Sequence, residues 1–201
     1  MRNVFVALSI LISLVATGCG KKSEPQATCG FIQNQDGQRV SWKTNGLVKL
    51  YYDQSVPADM YAPITLAIRT WEATIGRRVF DLQGPLSSPG GPRQDGYSVL
   101  YWLSDWDPAR VNIEQARTDI YWIGNQLTEA DIAFNAKGFR ISAHPGPGEI
   151  DAQSLVLHEL GHVLGLGHTD DRPSVMAHAL PYGTLRQDLK PADSQAIKCE
   201  Y

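Results

Sequence analysis

The sequence is poor in the features that mark specialised architectures. It has no heptads, internal repeats or long charge runs, which leaves no basis for a coiled coil or a repeat solenoid. A count of 18 Lys+Arg against 21 Asp+Glu gives a formal net charge of -3, so the charge balance offers nothing to nucleic acid. The longest apolar run, residues 4–16, is shorter than the roughly 18–20 residues a membrane span needs. Cysteine (3) and histidine (5) are scarce, so their positions carry information. What remains is ordinary: 43% hydrophobic and 19% charged residues suit one globular domain with a real core.

Three of the histidines fall in a single stretch, His158-Glu159-Leu160-Gly161-His162-Val163-Leu164-Gly165-Leu166-Gly167-His168. On a helix, positions i and i+4 share one face, so His158 and His162 present two imidazoles to one point. Glu159 stands beside them, able to reach a water at that point but not placed as a third ligand. Gly165 accepts the left-handed conformation that ends a helix, and the chain then turns back to return His168. Three protein ligands with an open fourth position is the catalytic arrangement of zinc. An amphipathic helix with surface histidines explains neither the spacing nor the helix breaker.

Residues 1–18 read as a targeting segment, with Arg2, the apolar run and then small residues. Ala16-Thr17-Gly18-Cys19 resembles a bacterial lipobox, so Cys19 is expected to carry lipid that holds the protein at a membrane surface without spanning it. An ordinary secretory signal or an uncleaved anchor is the alternative. Residues 20–26 are polar and aperiodic and read as a tether. No aspartate follows Cys19, which points to the outer membrane within an exported, bacterial cell-envelope location. The expected organisation is a signal peptide at 1–18, a tether and N-terminal segment at 19–44, and the catalytic domain at 45–201. Cys29 and Cys199 remain. Disulfides persist in exported proteins, and a Cys29–Cys199 bridge is one reading. The others are a Cys29 thiolate plugging the open zinc position, or two free thiols.

Residues 48–53 alternate as a strand. Asp59 precedes a helical stripe of Ile64, Ala67, Ile68, Trp71 and Ile75, closed by Gly76. Short strands are expected over 78–82, 97–104, 118–123 and 130–134, with a turn at Gly124-Asn125 between the last two. Residues 139–142 are extended, 87–96 and 144–148 are loops, and Asp151 is positioned to cap the motif helix. Residues 105–115 show no decisive pattern. The order implies a mixed α/β (α+β) domain with a cleft between sheet and motif helix.

At this point the chain resembles the metzincin zinc proteases, and among them the matrixins. The residues that carry the likeness are His158, Glu159, His162, Gly165, His168 and the following Ser174-Val175-Met176. Thr169 stands where matrixins carry serine. The resemblance spans residues 45–201. It implies a twisted mixed sheet packed on two helices, an active-site helix, a C-terminal helix over 189–201, and one catalytic Zn²⁺ held by His158, His162 and His168. Glu159 is then the general base of a metalloendopeptidase, and Met176 forms a methionine turn beneath the metal. The edge strand, placed at 116–123, is expected to bind a protein or peptide substrate as an added strand. His178 is a candidate for hydrogen-bonding the oxyanion, and Pro181-Tyr182 for a shifted specificity wall. No histidine set exists for a second zinc; Ca²⁺ has only the scattered Asp131, Asp170 and Asp171 to draw on. A monomer is expected. The rival reading is a zinc-binding envelope lipoprotein without turnover, an adhesin or scaffold.

Overall fold

The computed structural model describes residues 24–43, 46–87 and 90–201. The expected signal peptide and Cys19 lie outside them.

Alternation of apolar residues makes β1, Val48–Asp53, with Val48 and Leu50 buried. A 3-10 turn over Ala58–Met60, which contains Asp59, leads into α1, Tyr61–Ile75. Pro63 sits in the first turn, where its missing N–H costs nothing, and Gly76 closes the helix at φ +84°. The remaining strands are β2 (Phe80–Leu86), β3 (Ser98–Leu103), β4 (Ala116–Ile123) and β5 (Gln126–Asn135). Their order in the sheet is β2-β1-β3-β5-β4, all parallel except β4, which runs antiparallel to β5 at one edge. The hairpin turns at Gly124-Asn125, and both its strands are longer than periodicity indicated. β2 also extends beyond the expected 78–82, carrying Gly84 and Pro85 where the sheet has its other edge.

A small parallel pair, β6 (Ile141–Ser142) and β7 (Ile150–Asp151), delivers the chain to α2, Ala152–Val163. Asp151 caps α2: its carboxylate accepts from Ser154 N at 2.7 Å. α1 and α2 pack together, and the Trp71 indole, fully buried, donates to Leu157 O across that seam at 2.9 Å. The C-terminal helix, α3, is confined to Pro191–Ile197, shorter than the 189–201 expected. The core runs between sheet and helices, through Leu50, Ile64, Trp71, Leu100, Ile132, Phe134, Leu157 and Leu160.

Residues 24–43, expected to precede the domain, pack against it. Phe31, Val40 and Ser41 are buried. The segment pairs with the loop after α2 through Ile32 N to Gly165 O (2.9 Å) and Gly167 N to Gly30 O (2.8 Å). Trp42 Nε1 and the Tyr201 hydroxyl donate to Val163 O and Leu164 O, each at 2.8 Å, so the carbonyls at the end of α2 are satisfied by side chains from both ends of the described chain. Cys29 and Cys199 form a disulfide. With Cys29 Sγ bonded there, no thiolate is left to serve as a plug.

Candidate metal centre

α2 places His158 and His162 one turn apart on the face turned to the cleft, and the loop after it returns His168. Gly165 makes that return at φ +99°. Any Cβ there would also run into Val40 O, with Phe31 Cδ1 at 3.3 Å. The position therefore needs glycine twice over, for its dihedral and for the backbone that crosses it.

The three Nε2 atoms lie 3.1, 3.2 and 3.2 Å apart. His158 Nδ1 is 2.7 Å from Val175 O, and His162 Nδ1 is 2.7 Å from Leu166 O. A carbonyl can only accept, so these Nδ1 atoms carry the proton and their Nε2 atoms point bare lone pairs at the same spot. Lone pairs that face each other at this range repel unless a cation stands between them. Ligands 2.0–2.1 Å from one tetrahedral zinc lie about 3.3–3.4 Å apart. The cluster fits that ion, and it is the only group of three or more metal-ligating side chains gathered closely enough among the described residues. Burial pushes His158 and His168 down to about 4 and lowers His162 as well, so all three are neutral and metal-ready at neutral pH.

Glu159 is 3% exposed. Burial raises its pKa, while His162 and a hydrogen bond from Thr118 pull it the other way. That bond, Thr118 Oγ1 to Glu159 Oε2, measures 2.6 Å. Thr118 belongs to β4, the edge strand that walls a cleft of about 420 Å³ over the imidazoles. Nothing singled out this threonine in the sequence beyond the period-two alternation that turns 116, 118 and 120 to one side.

Met176 is 3% exposed and packs beneath α2 at Gly161. Its turn is held by Asp193 at the start of α3. The Asp193 carboxylate accepts from the Ser174 hydroxyl, from Val175 N at 3.2 Å and from Lys190 N at 2.8 Å. Val175 O in turn receives His158. A buried carboxylate thus sets the orientation of a ligand through two links.

His178 lies at the cleft with its ring 4.5 Å from that of His168 and its Nε2 3.7 Å from the Asp170 carboxylate. Pro181 and Tyr182 are not among the residues that line the cleft, and Tyr182 contacts Phe139; Leu180 and Arg186 line it. Asp131 is wholly buried and accepts from Arg93 N and Val99 N at 3.0 and 2.9 Å. With Glu129, which accepts from Asp95 N and Gly96 N, it anchors the loop before β3. Burial brings Asp131 up to about 7. The carboxylates considered for calcium do not gather: Asp131 serves this loop, and Asp170 is fully exposed.

The Matrixin family model matches residues 95–201, more than half of the chain. Curated relatives include Metalloendoproteinase 1 of Glycine max, 33% identical over 73 residues, covering 36% of this chain and 24% of that protein. Metalloendoproteinase 2-MMP of Arabidopsis thaliana is 36% identical over 52 residues, covering 26% of this chain and 14% of that protein. The alignments thus span a quarter or less of those relatives' own length.

Proposed function

This chain belongs to the matrixin family, and on that footing we propose that it is a zinc-dependent endopeptidase. The observation that carries the reading is the convergence of three imidazole Nε2 atoms beside a buried glutamate, on the floor of a cleft walled by an edge strand. His158, His162 and His168 hold the ion; Met176 gives them a packed floor. Zinc held there would supply Lewis-acid chemistry for a scissile carbonyl and for an attacking water. The Glu159 carboxylate would take a proton from the attacking water and pass it to the departing amine. Its burial suits the second half of this role, since a carboxyl with a raised pKa keeps a proton long enough to pass it on. An extended peptide lies along the free edge of β4, which aligns the scissile bond over the floor.

The proposal includes export and lipid attachment at Cys19, supported by the pattern of residues 1–19. Labelling with a fatty-acid analogue should mark the wild type and not Cys19→Ala; equal labelling would refute it. The activity is tested by zinc content together with casein cleavage in wild type and Glu159→Gln. Zinc in both and cleavage only in the wild type is expected. Cleavage by the variant would remove Glu159 as the base, and zinc in both with cleavage in neither would favour the non-catalytic lipoprotein.

A further inference from the structure

The charges that line the cleft are not equally matched. Arg117 Nε is 3.2 Å from the Asp119 carboxylate. Glu114 Oε1 receives Arg110 at 3.1 Å, and its Oε2 is buried without a hydrogen-bond partner. Glu159 faces the imidazoles and Thr118. Arg186 is different. Its Nη1 donates to Ala179 O at 2.8 Å, a neutral acceptor, and its guanidinium makes no ion pair among the described residues.

Arg186 is also held at both ends. Its backbone N donates to Ser154 Oγ at 2.7 Å, and Ser154 is itself fixed by Asp151, the cap of α2. An arginine pinned at backbone and tip loses little freedom when a partner arrives. Its remaining N–H groups suit a carboxylate, which takes charge-assisted bonds from Arg more readily than any neutral side chain does.

We propose that Arg186 is a specificity-determining residue that selects an acidic side chain, Asp or Glu, next to the scissile bond. The inference rests on the endopeptidase reading and narrows its substrate class to peptides that carry a carboxylate at one subsite.

The test uses matched peptides with Glu, Gln or Lys at each position flanking one cleavable bond. The wild type should cleave the Glu peptide with kcat/KM at least about tenfold above the Gln peptide at one of those positions, the scale of a charge-assisted contact. Arg186→Gln should bring the ratio near unity, and Arg186→Glu should turn it toward Lys. Zinc content certifies that both variants keep the site. Casein cleavage by the wild type separates the hypotheses: casein cut without an acidic preference overturns the subsite alone. A second readout needs no turnover. The same peptides are titrated into zinc-loaded Glu159→Gln, where the Glu peptide should bind tighter and lose its advantage as salt rises. Equal binding overturns the proposal even if casein is never cut. A Lys preference abolished by Glu114→Gln would overturn it too, and would give the subsite to Glu114.

Discussion

Gly161 lies in α2 between Glu159 and His162, and replacing it with alanine tests how tightly the helix rests on the methionine turn. A Cβ at this position would overlap Met176 Sδ, stand 3.0 Å from Met176 Cε and 3.1 Å from Trp71 Cζ2. Both neighbours are buried, Trp71 completely, so neither has free space to retreat into. On an exposed helix the same change stabilises by about 1 kcal/mol. Overpacking a filled core costs about 1–3 kcal/mol. The balance is a loss of up to roughly 2 kcal/mol, which at that limit lowers Tm by about 4–8 °C for a domain of this size. Zinc affinity should drop as well, by about tenfold, because Met176 adjoins Val175, whose carbonyl orients His158. The decisive assay is a double-mutant cycle. In a Met176→Ala background the new methyl has room, and Gly161→Ala should become neutral or stabilising, a coupling on the order of 1–3 kcal/mol. A rise in Tm on the wild-type background, or the same shift in both backgrounds, would refute the packing argument.

Two further outcomes follow from the same structure. Asp193→Ala leaves the Ser174 hydroxyl, Val175 N and Lys190 N without their acceptor, and should cost about 3–5 kcal/mol in urea unfolding of the zinc-free protein; a loss below about 1 kcal/mol would dissociate this carboxylate from the turn. The pH dependence of the zinc-stripped protein has a fixed sign. His158 and His168 titrate near 4 when folded and near 6.5 when unfolded, so between those values the unfolded chain binds more protons and stability is lost as pH falls from about 6.5 toward 4. A Tm that stays level across that window would contradict the burial of these rings.

The metal cluster was legible because its logic is local. Two turns of helix and one glycine fix two ligands and the direction of the third, and those constraints are written in consecutive residues. The hairpin of β4 and β5 was legible for the same reason, through its turn at Gly124-Asn125. Long-range support was not. Residues 24–43 have no amphipathic period, since they meet the body through isolated backbone bonds rather than one continuous face. Asp131 looked like a stray acidic residue because its partners, Arg93 N and Val99 N, are backbone groups distant in the chain. Arg186 likewise carries no pattern; its meaning arises only when Ser154 and Ala179 are brought to it.

The family match begins at residue 95, but the scaffold of the imidazole cluster does not. Trp71 lies under Gly161, Val40 presses on Gly165, and Trp42 reaches Val163 from 121 positions away. His158 and His162 meet as soon as α2 winds. His168 follows through the local turn at Gly165, and distant contacts from Gly30, Ile32 and Val40 brace that turn. The third imidazole thus depends for its place on an N-terminal segment outside the family match, and a chain lacking residues 24–43 should hold zinc less tightly while α2 still forms.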